Sequence, residues 1–260
     1  MTSTPIVNQP NLYINNLNIV NFNSTSIAIK AGAARDSTNT NDIILPFDTT
    51  VSIVTNGANG LDVGTILTNT FYVVLVIGDS SNYHPVAGLL SLLTYSQPLI
   101  PTLPFGYDMY RRVGIILTQT VSSVIQPVTF LQMGMGSERT YYYNSAISVL
   151  SAGNATVFTP ADLSAAVAIA YAGDGTNNAE AAFNLTYTSA SAANQVDFGI
   201  ASGSTAPIIS RSNGAASTTV TPIWLPVRKS FGSQHPFISY RTTSASDSVS
   251  LSCAGFRDYV

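Results

Sequence analysis

Apolar and polar residues alternate with period two along most of this chain, a pattern that predicts β-strands. Ile27, Ile29 and Ala31 alternate with Ala28 and Lys30, and Phe47, Val51 and Ile53 are interleaved with Asp48, Thr50 and Ser52. Residues 71–77 (FYVVLVI) form an unbroken β-branched and aromatic run, as expected of a strand covered on both faces. Val113, Ile115 and Leu117 start another strand, and Val128 and Phe130 a further one. Asn56-Gly57, Asn59-Gly60, Gly78-Asp79-Ser80 and the proline-rich residues 98–104 separate these runs as turns. In the second half, Val196, Phe198 and Ile200 alternate with Asp197 and Gly199, and Val249, Leu251 and Cys253 with serines. Ile238 and Tyr240 flank Ser239, and Asp174-Gly175 and Asn213-Gly214 are tight-turn candidates. Thr159-Pro160-Ala161-Asp162 reads as the start of a helix over residues 163–173 (LSAAVAIAYAG), but Val167, Ile169 and Tyr171 alternate with alanines there as in a strand, and the all-β surroundings favour the strand.

The fold class expected from this pattern is all-β: two β-sandwich or jelly-roll-like domains with an extended N-terminal arm. Residues 1–25 are Asn-rich, carry Pro5 and Pro10 among scattered apolar residues, and read as an arm lying on a neighbouring subunit or, equally, as a disordered or loosely docked N-terminus. Such a segment spans ~80 Å at ~3.3 Å per residue. Deleting residues 1–24 is then expected to leave a folded protein. Residues 26–136 make the first β domain and residues 137–260 the second. The seam is placed at residues 137–144 (SERTYYYN), because the composition shifts there toward Ala, Ser, Thr and Gly.

Composition narrows the function. Charged residues are 9% of the chain, against about 25% in an average soluble domain. Lysine occurs only at Lys30 and Lys229, and glutamate only at Glu138 and Glu180. Ser, Thr and Asn must therefore supply the polar surface, which suits protein–protein contacts where few charges need desolvating. A net charge of -3 and the absence of any basic run argue against nucleic acid as a partner. No apolar run approaches the ~20 residues of a spanning helix, so no membrane is expected. The first 25 residues lack the basic start and apolar run of a secretion signal. Cys253 stands alone and alternates with Val249 and Leu251, which makes it a buried thiol of a chain folded in a reducing cytoplasm.

Candidate chemistry is sparse. His84 and His235 each precede a proline, which places them in loops or at strand ends. No Gly-x-Ser-x-Gly elbow, paired carboxylates or metal-ligand spacing accompanies them. Residues 36–42 (DSTNTND) lack the Gly and Glu of a calcium-binding EF-hand loop and read as an Asx turn. The chain is therefore read as no enzyme, with no catalytic residue, cofactor or metal. Two aromatic groups are candidate interface or ligand contacts: Tyr141, Tyr142 and Tyr143, with one ring inward and two at an interface, and Tyr83 with His84.

The most specific text is NGANGLDVGTILTNTFYVVLVIGDSSNYHPVAGLLS at residues 56–91, followed by PTLPFGYDMYRRVG at residues 101–114. It resembles a module of virion structural proteins of tailed bacteriophages, of the capsid decoration (cement) or fibre type. In that module a Gly-Leu-Asp-x-Gly turn enters a strand, and a Pro-x-Leu-Pro-x-Gly-Tyr segment precedes an Arg-Arg-x-Gly strand. VSLSCAGFRDYV at residues 249–260 is similar to the closing strand. The resemblance covers residues 26–130 well and the last thirty loosely, and Phe71 stands where a larger aromatic is usual. It implies scaffold roles, with Tyr107 and Tyr110 packed on the sheet and Arg111 or Arg112 paired with Asp108 or Asp62. It further implies a protein made in the host cytoplasm and placed on the exterior of the virion. Its expected partners are itself, as a homotrimer, and the major capsid protein or other virion proteins. The alternative is a fibre-type receptor-binding adhesin that recognises a host glycan.

Overall fold

The computed structural model describes residues 13–93, 101–134, 136–168, 179–199, 207–212, 218–229 and 235–260. The expected turns at Asp174-Gly175 and Asn213-Gly214, the end of the Val196 strand at Ile200 and residues 98–100 of the proline-rich stretch lie outside them, as do residues 1–12 of the expected arm. Every regular element among the described residues is a strand, so the all-β class holds.

Six short strands open the chain: β1 (Ile14–Asn16), β2 (Ile19–Asn23), β3 (Ser26–Ile29), β4 (Gly32–Arg35), β5 (Asp42–Leu45) and β6 (Thr49–Ser52). They are three long antiparallel strands, each bent at the same level: β1, β4 and β5 pair on one side of the bend, and β2, β3 and β6 on the other. At the bend Asn16 and Leu17 both take φ of 58°. That conformation is uncommon for a branched side chain. Full burial of Leu17 and the hydrogen bonds from Asn16 Nδ2 to the Ala31 carbonyl (2.5 Å) and from the Lys30 amide to the Asn18 carbonyl (2.9 Å) hold it there.

Residues 14–23 thus belong to the sheet and not to an arm. Ile14, Leu17 and Ile19 enter the core, because an Asn-rich segment with an apolar residue every two or three positions can still present one buried face. Phe47 is a second departure. The alternation predicted it inside, but it falls in the bend between β5 and β6 and points to solvent.

The second layer comprises β7 (Gly60–Leu61), β8 (Phe71–Gly78), β9 (Ala87–Leu92), β10 (Met109–Val121) and β11 (Val124–Pro127), in the order β11-β10-β8-β9-β7. β8 is buried along its whole length, as its unbroken apolar run predicted. Close approach of the bent layer explains two glycines. A Cβ at Gly88 would collide with Val51, and one at Gly114 would collide with Ile19 and the Tyr141 hydroxyl.

The remaining strands are β12 (Phe130–Met133), β13 (Glu138–Gly153), β14 (Thr159–Asp162), β15 (Ala179–Thr188), β16 (Gln195–Gly199), β17 (Ile209–Ser212), β18 (Thr218–Lys229), β19 (Pro236–Thr242) and β20 (Ser248–Tyr259). They run in the order β12-β13-β20-β15-β18-β19-β16-β17, and β14 pairs with β19, so Thr159–Asp162 is strand and not a helix start; of the alternation expected after it, Val167 lies beyond a turn and Ile169 and Tyr171 lie outside the described residues. Phe183, Leu185, Tyr187, Val249, Leu251 and Cys253 alternate inward from β15 and β20. Burial pushes the Cys253 thiol pKa up to about 12. Asp197 is fully buried rather than facing water, and it is satisfied by Arg241 (Nε to Oδ2, 2.9 Å), Gln195 and Ser210.

Residues 137–144, read as a seam, run almost entirely within β13, and buried side chains form one contacting cluster from Ile14 to Phe256. β20 carries a bulge opposite Ala182 and Phe183. Beyond it the buried phase shifts, so Phe256 and Asp258 turn toward the first layers. Phe256 stacks on Tyr141 (4.9 Å, 17°) and meets Phe71 edge-on at 6.2 Å. Arg112 pairs with Asp258 and donates to the Tyr259 carbonyl, and Arg111 donates to the Val260 carbonyl. This replaces the expected pairing with Asp108 or Asp62, whose carboxylates accept from Ser80 and Ser91 instead. Arg139, fully buried, donates to the Asn16 and Gly134 carbonyls and to Asn18, fastening β13 to the first bend.

Candidate functional site

Three loops meet at one end of the first two layers: the β5–β6 bend with Pro46 and Phe47, residues 79–86 between β8 and β9, and residues 101–108 before β10. Asp79 organises the middle loop. One carboxylate oxygen accepts from the Ser81 amide (2.8 Å) and hydroxyl (2.6 Å), the other from the Tyr83 and His84 amides and from His84 Nδ1 (2.9 Å). The bonds from Ser81 and His84, in that order, hold the Asp79 carboxyl well below the usual carboxylate range. Asp108 ties the third loop to the second by accepting from the Ser80 amide, and Tyr107 donates to the Pro85 carbonyl (2.9 Å).

His84 is clamped in this frame. Tyr83 lies edge-on at 5.1 Å, and Tyr107 lies tilted by 37° at 5.5 Å. Gly106, at φ +87°, approaches so closely that a Cβ there would collide with the imidazole. The frame leaves three large rings almost bare: Phe47 is 79% exposed, Tyr83 84% and Phe105 97%. Phe47 and His84 also line an open cleft of ≈ 430 Å³ with Ile44, Pro46, Asp48 and Asn82. Bare aromatics of this size, fixed on short hydrogen-bonded loops, lose little entropy on burial and are the residue type that dominates protein interfaces.

The two aromatic groups singled out from sequence fare differently. Tyr83 and His84 are brought together at this end. Tyr141, Tyr142 and Tyr143 are split by strand alternation. Tyr141 is buried, its hydroxyl accepts from the Ile115 amide (3.0 Å) and Gln132 Nε2 (2.9 Å), and burial raises its pKa. Tyr143 is half-buried and donates to the Ala166 carbonyl (2.7 Å). Tyr142 faces out, edge-on to Trp224 at 6.4 Å. His235 is exposed and precedes β19, as a proline-flanked histidine should. The carboxylate of Asp36 accepts from the Thr40 and Asn41 amides and the Thr38 hydroxyl, the Asx-type loop expected there.

Phe47 and Phe105 were not apparent as site residues in the sequence. Their signal is a large aromatic directly after a proline in a turn segment, Pro46-Phe47 and Pro104-Phe105-Gly106. Among the described residues no group of three or more His, Cys, Asp or Glu side chains converges as a metal site.

No family model matches the chain, and no curated protein matches it. A chain of the T13 IBDV viral particle is similar over 94% of this chain and 67% of its own length, at 13% identity. Its TM-score is 0.21, and a likeness that slight carries no argument about fold or function.

Proposed function

We propose that this chain is a structural component of a tailed-phage virion, a capsid decoration (cement) or head/tail accessory protein that stabilises the particle exterior through protein–protein contacts. The observation that carries the reading is the set of nearly bare rings Phe47, Tyr83 and Phe105 on a rigid loop frame. Each ring can bury on the order of 150–250 Å² against a partner, and truncating such an anchor costs about 2 kcal/mol or more of binding. The surrounding charged groups are already engaged: Asp79 accepts from Ser81 and His84, Asp108 accepts from Ser80, Lys30 pairs with Asp48 and Arg35 with Asp42. A partner therefore meets an apolar anchor with few charges to desolvate. The resemblance of residues 56–114 to phage virion modules supplies the setting, and a symmetric homotrimer fits a surface that works by repetition.

The test is particle incorporation. Phe47→Ser combined with Phe105→Ser should leave the melting temperature of the isolated protein unchanged and abolish its recovery on purified particles. Recovery at the wild-type level would overturn the docking role of this end.

A further inference from the structure

We infer that His84 makes docking at the Phe47 end respond to pH, with the neutral imidazole favouring the docked state and the imidazolium opposing it. This property belongs to the docking role proposed for that end and rests on it. The geometry starts at Asp79, whose carboxylate accepts from the Ser81 amide and hydroxyl, from the Tyr83 and His84 amides and from His84 Nδ1 (2.9 Å). A carboxylate held ionised by that many donors can only accept, so Nδ1 carries a hydrogen in both charge states of the ring. The proton gained and lost is the one on Nε2, which has no hydrogen-bond partner among the described residues.

The ring cannot swing away to hide that position. A Cβ at Gly106 would stand 2.1 Å from its Cε1 and 2.7 Å from Nε2, so the imidazole lies directly on the Gly106 backbone. Tyr83 and Tyr107 close its sides. The Asp79 side chain is only 6% exposed, but that of His84 is 31% exposed, and it lines the open cleft with Phe47, Pro46 and Ile44. A partner that covers the Phe47 and Tyr83 rings therefore covers His84 as well.

Charge sets the sign. Besides Asp79, the titratable groups around His84 are Tyr83 on its own loop, Tyr107 and Asp108 on the third loop, and Asp48 across the cleft. Asp108 is engaged by Ser80, and Asp48 by Lys30 (2.7 Å) and the Ala31 amide (2.9 Å). Of these residue types only an imidazole ordinarily changes charge between about pH 5 and 8. Neutral, it is covered at little cost. Protonated, it must leave water with one carboxylate that four other donors already share. Docking therefore weakens as pH falls, by up to about ten-fold per pH unit for the single proton taken up on release.

The test is the affinity of the full chain for purified particles from about pH 8.5 to pH 4.5 at constant ionic strength. Wild-type affinity should fall at least about ten-fold, with a midpoint between about pH 5 and 8 and a slope of no more than one proton. His84→Asn, which keeps an amide N–H next to Asp79 but cannot titrate, should bind equally across the range with an unchanged melting temperature. His84→Gln takes its place should that variant fold poorly. Wild-type affinity that is level with pH would sink the inference and leave the docking role standing. A slope steeper than one proton, a midpoint below about pH 5 where carboxylates such as Asp48 titrate, or a change that persists in a folded His84 variant would sink it too. A wild-type chain that binds at no pH takes both readings down, so the two failures are told apart.

Discussion

Two groups of aromatic side chains show how differently one residue type is used here. Phe71, Phe130, Tyr141 and Phe256 sit on strands whose neighbours are fixed by register, and they meet ring to ring where the first layers join the long sheet. Tyr83 and Phe105 sit on short loops tied down by Asp79 and Asp108, and Phe47 on a bend held through Asp48 by the Ala31 amide, where the backbone offers nothing to fold these rings against. The first group is spent on holding the chain together. The second costs exposed apolar surface, which only a partner can offset.

Perturbing the two groups should therefore move different readouts. The largest effect is expected from deleting residues 1–24. That removes β1 and β2 with the buried Ile14, Leu17 and Ile19, along with Asn16 and Asn18, two of the three partners of Arg139, and circular dichroism should show loss of the cooperative transition. This reverses the expectation that residues 1–24 are dispensable for folding. Next comes Phe256→Ala, which opens a cavity among Tyr141, Tyr143 and Phe71; chemical denaturation should show a loss of about 3–5 kcal/mol. Tyr141→Phe keeps the ring but strands the Ile115 amide and the Gln132 side chain, and should cost about 1–3 kcal/mol. Phe105→Ser, on the other group, should change stability by no more than about 0.5 kcal/mol. A loss like that of Phe256→Ala would erase the contrast.

The smallest effect is expected from pH. Hydrogen bonds from Ser81 and His84 hold Asp79 low. At Asp36 and Asp247, desolvation pushes upward, but hydrogen bonds from Thr40, Thr38 and Asn41, and from Ala190, Asn194 and Tyr187, outweigh it. A carboxyl lowered on folding stabilises above its unfolded pKa of about 4 and loses that contribution as pH falls through the folded value. Tyr187, raised to about 12 by burial and its bond to Asp247, and Cys253, raised to about 12 by burial, stabilise below their unfolded values and lose this as pH rises toward 12. The melting temperature should be level between about pH 5 and 8 and fall on either side. A midpoint near neutrality would contradict these environments.

Local grammar carried much of the fold. The run at residues 71–77, the alternation at Val249, Leu251 and Cys253, and the Asn56-Gly57 turn with Gly57 at φ +96° were all readable because they depend on neighbours in sequence. Long-range pairing was not. Nothing local tells Arg112 to choose Asp258, 146 positions away, over Asp108 nearby. The shift in composition at residues 137–144 carries no sign of the alternation there, in which Arg139 and Tyr141 are buried and Tyr142 faces out. Phe47 was assigned inward because period two was carried through a proline, where a strand bends.

The grip of Arg111 and Arg112 on the end of β20 bears on how the molecule is made. β20 lies between β13 and β15 and supplies Phe256 to the first layers, so the earliest strands cannot finish their packing until residues 248–260 emerge from the ribosome. Non-local closure of this kind is slow, and it leaves the nascent first half dependent on its last partner. Chains that stop before residue 248 would keep that joint unsealed.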